Sequence, residues 1–156
     1  MNEHIHFFQV AADEAKLATC RRASCGAIIV SNQGSVIGKG HNSPPLGNET
    51  QRTCMVDDFD FAKKPKYDKT CCVHAEWNAI LDACKHFPDE IVGSTLYFMR
   101  VDNSGDFTNA GEPYCTVCSR LSLESGIATF VLWNDSPQFY DTAQYNTLSY
   151  DFHKSV

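Results

Sequence analysis

Two short runs hold residues that can bind and use a metal ion. One is His74-Ala75-Glu76 and the other Cys115-Thr116-Val117-Cys118. One imidazole and two thiols make a three-ligand set, which zinc uses when its fourth tetrahedral position is kept for water. Cysteines at i and i+3 project from the same side of a helical turn, so both sulfurs can reach one ion. Each run opens a segment of helix-forming composition, and the partial positive charge of a helix N-terminus favours the thiolate a metal needs. Glu76, two residues past the histidine, can stand beside the open position without ligating it. A carboxylate there can take a proton from water and deliver it elsewhere. Singly, the runs have plainer readings, since His-x-Glu is common and Cys-x-x-Cys also serves as a redox pair or half a zinc knuckle. Both together, each opening a helix, point to a metal site.

The elements that must position these residues follow from periodicity. A helix is expected over residues 5–18, with Ile5, Phe8, Ala12, Ala15 and Ala18 near one face. Two apolar runs, 26–30 and 35–39, flank the turn signal Asn32-Gln33-Gly34 and read as a β-hairpin. Residues 42–70, rich in Pro, Gly and charge, read mainly as a long loop, which inside a compact domain is either functional or pinned by something. A helix over 74–85, burying Ala75, Ala79, Ile80 and Ala83, stops at Phe87-Pro88. Then come a strand over 94–101, a polar loop over 102–112, a helix over 115–124 stopped by Ser125-Gly126, and a strand over 128–133. In the weakly patterned tail, 138–148 is the helical candidate. Strands alternating with helices indicate a layered α/β domain with at least part of its sheet parallel.

A length of 156 residues suits one domain, 1–156, and 43% hydrophobic against 21% charged residues argues against disorder. Apolar runs fall well short of the ~20 residues a membrane helix needs, so no membrane partner is expected. The start Met1-Asn2-Glu3-His4 carries acid where a secretory leader carries base, so a cytoplasmic location is expected. In that setting the eight cysteines are expected to serve metals or chemistry more than disulfides. A net charge of −6 is the wrong sign for a nucleic-acid groove, though a small phosphate needs only two or three local donors. Lys63, Lys64, Lys66 and Lys69 face Asp57, Asp58 and Asp60 and read as a solvated mixed-charge loop.

With their surroundings, the two runs resemble the zinc-dependent cytidine and deoxycytidylate deaminases. The resemblance is carried by His74-Ala75-Glu76 with Asn78-Ala79-Ile80, and by Cys115 and Cys118 with Ser125-Gly126-Ile127. It extends to Cys20-Arg21-Arg22 before the run at 26–30, and to the segment from Gly38 through His41-Asn42-Ser43 to Pro45, covering about residues 5–133 in all. There are departures. Tyr114 stands between Pro113 and Cys115, where the family has Pro next to Cys. The loop 102–112 is longer than usual. His41 and Ser43 replace the Tyr and second Gly of a Gly-Tyr-Asn-Gly segment.

The resemblance implies a three-layer α/β/α sandwich with a mixed central sheet. It implies zinc held by His74, Cys115 and Cys118, with Glu76 moving protons during attack at C4 of a cytosine ring. The implied activity is hydrolytic deamination of a small cytosine nucleotide, deoxycytidylate-like, with release of ammonia. A deaminase of a guanine- or adenine-type base or nucleoside, or an inactive zinc-stabilised binding module, are the alternatives; the intact Glu76 favours an enzyme. Asn42 is implied as a sugar contact, its plainer role being a turn residue. Arg21 and Arg22 are candidates for a phosphate, or else surface charge. The expected partner is a small nucleotide or nucleoside and not a nucleic-acid polymer, and a homo-oligomer is implied. Some deoxycytidylate deaminases hold a second zinc from regions corresponding to Cys20 at the end of the first helix, Cys54 in the long loop, and Cys72. A structural zinc there would anchor that loop; otherwise these are ordinary buried cysteines.

Overall fold

The computed structural model describes residues 2–20, 23–52 and 71–154. Helix α1 (Glu3–Ala15) starts at Asn2, whose side chain accepts from the His4 N–H at 3.1 Å. Its buried face is Phe7, Phe8, Ala11, Ala12 and Ala15. The expected face was rotated slightly, since Ile5 is only half-buried, and the helix stops before Ala18, so that Cys20 lies beyond its end. Strands β1 (Ser24–Val30) and β2 (Val36–His41) form the expected hairpin. Then follow α2 (Ala75–His86), β3 (Thr95–Val101), β4 (Phe107–Thr108), α3 (Thr116–Glu124), β5 (Thr129–Trp133), β6 (Pro137–Asp141) and α4 (Thr142–Lys154).

The sheet runs β2-β1-β3-β5-β6, with β4 also paired to β3. Only β3 and β5 pair in parallel, across the crossover helix α3, and the other pairings are antiparallel, so the sheet is mixed. Residues alternate across it. Ile28, Val30, Tyr97, Met99 and Val131 pack under α1. On the other face Ala27, Ile29, Leu96, Phe98, Phe130 and Leu132 pack against α2 and Tyr145 of α4. With both faces covered, the inner strands read as continuous apolar runs. Three glycines set the layer spacing: a Cβ at Gly26 would strike the backbone of Ala11 and Ala15, and one at Gly38 or Gly40 would strike the backbone of α2.

Two segments differ from their sequence reading. Residues 102–112 are not simply a loop. Asp102 Oδ1 accepts from the N–H groups of Ser104 and Asp106 and folds a tight turn. That turn returns β4 onto β3, pairing Arg100 with Thr108 and Val101 with Phe107. The tail holds an edge strand before its helix. Pro137 opens β6, where a missing N–H does no harm, and Asp141 then caps α4 by accepting from the Gln144 N–H at 2.7 Å. Hydrogen bonding to β5 overrides the weak helical pattern of 138–141.

Candidate active site

Helices α2 and α3 begin at the same end of the sheet, and the residue before each is a candidate ligand. His74 is the N-cap of α2, in extended conformation, and makes no capping hydrogen bond with its side chain. Its imidazole places Nδ1 3.3 Å from Cys118 Sγ and 3.5 Å from Cys115 Sγ. Cys115 is the N-cap of α3, and its sulfur accepts from the Cys118 N–H at 3.2 Å, which favours a thiolate. Cys118 is fully buried one turn on.

The donor atoms of His74, Cys115 and Cys118 all lie within 4.8 Å of one another. The two sulfurs are themselves paired as a disulfide in this structure. A disulfide uses two of these atoms and gives the His74 nitrogen no task, whereas a tetrahedral ion uses all three. One imidazole and two soft thiolates are the donors zinc prefers. Burial pushes the His74 imidazole below its usual pKa, which keeps it in the neutral form a metal needs. The residues present therefore fit zinc.

Glu76 lies in the first turn of α2 and is 6% exposed. Burial raises its carboxyl to about 7, against the pull of its own backbone N–H and of Arg100. It is thus a proton-carrying group closed off from bulk water, two residues past His74 in the chain.

Other expected residues stand as follows. Asn42 is buried, and its amide is a strap: Oδ1 accepts from the Cys25 N–H at 2.9 Å and Nδ2 donates to the Ala23 carbonyl at 2.8 Å. The next residue, Ser43, pairs with Val73, which precedes His74, so Asn42 belongs to the surroundings of the candidate site. Arg21, Arg22 and Cys54 lie outside the described residues. Cys72 is buried close to Cys20, and its sulfur is 3.9 Å from that of Cys71. Burial, followed by these two neighbours, pushes the Cys72 thiol up to about 12.

Sequence reasoning missed three residues. Arg100 of β3 lies near Glu76, with Cys25 and Tyr114 beside its guanidinium, and its buried Nε has no hydrogen-bond partner among the described residues. A lone arginine in the apolar run Thr95–Val101 was the available signal. Tyr114, which breaks the Pro-Cys pattern, is held from the far end of α4, where His153 Nε2 lies 2.7 Å from its carbonyl oxygen. Trp77 stacks on the His74 ring.

The chain is similar to known proteins in sequence and fold. The family model described as the cytidine and deoxycytidylate deaminase zinc-binding region matches residues 1–134. The dCMP deaminase of the cyanophage S-TIM5, solved in complex with dCMP and dUMP, superposes with a TM-score of 0.58 at 25% identity, covering 83% of this chain and 81% of that one. The cytidine deaminase from Burkholderia pseudomallei superposes with a TM-score of 0.60 at 15% identity, covering 91% of this chain and 94% of that one. No curated protein matches the chain. No described helix is long and apolar enough to cross a membrane.

Proposed function

The chain belongs to the cytidine and deoxycytidylate deaminase family, and from that premise we propose that it hydrolytically deaminates a cytosine nucleotide such as deoxycytidylate. One observation carries this most: Glu76, a buried carboxyl in the first turn of the helix that His74 caps, a group that a purely structural metal site does not need. His74, Cys115 and Cys118 are the ligands in this proposal, and Glu76 is the general acid and base.

Zinc, when bound, lowers the pKa of a water molecule toward 7 and so supplies the nucleophile. Glu76 takes the water proton and gives it to N3 as oxygen adds to C4. It then relays the remaining hydroxyl proton to the amino nitrogen, so that the C4–N bond breaks and ammonia departs with a carbonyl left on the ring. Sheltered from bulk solvent, the carboxyl keeps the transferred proton within the site. Ring and nucleophile meet at the convergence of two helix N-termini, where positive potential favours the charge that builds on oxygen.

For the rest of the substrate, Asn42 offers its amide to a sugar hydroxyl, and Arg21 and Arg22 supply charge for a 5′-phosphate. The nucleotides bound to the cyanophage enzyme support a nucleotide substrate. A homo-oligomer is part of the same proposal.

The test is ammonia release from cytosine, adenine and guanine, each as base, nucleoside and 5′-monophosphate. The highest kcat/KM is expected for deoxycytidylate. Good turnover of a purine with none of any cytosine compound would overturn the proposal.

A further inference from the structure

Trp77 follows Glu76 and takes no part in the proton transfers above. Its indole lies parallel to the His74 imidazole, with ring centroids 4.2 Å apart and planes 9° from parallel. The two residues are three apart, with His74 just outside α2 and Trp77 in its first turn, so the helix itself sets this stack.

A histidine that binds metal through one nitrogen is normally oriented by a hydrogen bond from the other to a carboxylate, a carbonyl or water. Here Nδ1 faces both sulfurs, and among the described residues Nε2 has no hydrogen-bonding partner. Among the described residues, the flat face of the indole is the protein contact that holds the imidazole plane from its other side. The indole Nε1 is itself buried and has no partner among the described residues, so Trp77 contributes its face here and not its N–H. Metal binding draws electron density out of an imidazole, and an electron-rich indole face attracts a ring made more positive. The stack therefore strengthens when the site fills.

We propose that Trp77 is the positioning residue of His74, holding the imidazole plane so that Nδ1 faces Cys115 and Cys118 and thereby tightening metal binding. This rests on the ligand set of the proposed function. Zinc affinity, measured by competition with a chromophoric chelator, tests it in the wild type, Trp77→Leu and Trp77→Phe. Loss of an orienting contact should weaken binding by about 10–100-fold in Trp77→Leu. Trp77→Phe, which keeps a stacking ring, should stay within about threefold of wild type. The second measurement uses a Trp133→Phe background, where Trp77 is the remaining tryptophan; Trp133 packs on the other face of the sheet against Phe8 and Phe107. Its emission should change as zinc is added and should not respond once His74→Ala is introduced.

A folded Trp77→Leu with wild-type affinity would overturn the proposal. If that variant does not fold, the emission decides: zinc binding without any change in Trp77 emission overturns it equally. Full zinc retention in His74→Ala would instead refute the ligand set, and so separates the two failures.

Discussion

His74 Nδ1 lies 3.5 Å from Cys115 Sγ, although 41 residues separate them in the chain. Each is the residue before the first turn of its helix. Two helices starting at one end of the sheet therefore present their first residues, and their unsatisfied N–H groups, to one point. A thiolate placed there is stabilised by its surroundings before any cation arrives.

Replacing Glu76 with Gln keeps size and shape but removes the exchangeable proton. Zinc content should stay at the wild-type level while kcat falls by at least about 10²–10⁴-fold, the usual range for loss of a general acid–base group. Metal analysis with steady-state kinetics checks this. A variant with a tenth of wild-type activity would refute the role.

His74→Ala, Cys115→Ala and Cys118→Ala each remove one of three protein ligands, and each should lose the catalytic zinc together with turnover. The most informative is Cys118→Ala, because the residue is fully buried and Ala fits there. An active, zinc-replete Cys118→Ala would place the metal elsewhere.

A second zinc held by Cys20, Cys54 and Cys72 is consistent with Cys72 lying beside Cys20 in the fold. Elemental analysis should approach two zincs per chain, falling to one in Cys54→Ser with activity kept. One zinc in the fully active wild type would remove this site.

Gly40→Ala tests how α2 is seated. Its Cβ would collide with the Ala75 carbonyl and the Ala79 nitrogen, and would lie 2.7 Å from Asn78 Cβ. Backbone cannot yield as a side chain can, so the variant should lose about 1–3 kcal/mol of stability. Thermal unfolding should show a Tm lower by about 3–10 °C. An unchanged Tm would mean that α2 moves on the sheet without penalty.

The residues of the candidate metal site were legible because the code for them is local. His74 and Glu76 share the start of one helix, Cys115 and Cys118 that of another, and both helices show clear periodicity and stop signals. Trp77 was local too, but its parallel stack on His74 depends on rotamers that spacing does not specify. Arg100 was hidden for a different reason. Its closeness to Glu76 arises from how α2 lies over the sheet beside β3, a relationship between segments far apart in the chain. The strand at Pro137–Asp141 was missed because an edge strand takes its conformation from its neighbour's hydrogen bonds. At 102–112, the Asp102 turn with Gly105 at φ +84° was a hairpin signal that the polar composition concealed.

Between β4 and Cys115 the chain is stapled to the end of β5. Ala110 N–H donates to the Trp133 carbonyl, while Asn134 donates to the Gly111 carbonyl and accepts from its N–H, at 2.8–2.9 Å. The hairpin tip at 103–106 lies before that staple in the chain, so the staple stands between it and Cys115. The tip can thus gain or lose residues, or accept a graft, while the metal-binding helix keeps its place, which makes it the natural point for remodelling this enzyme without rebuilding its centre.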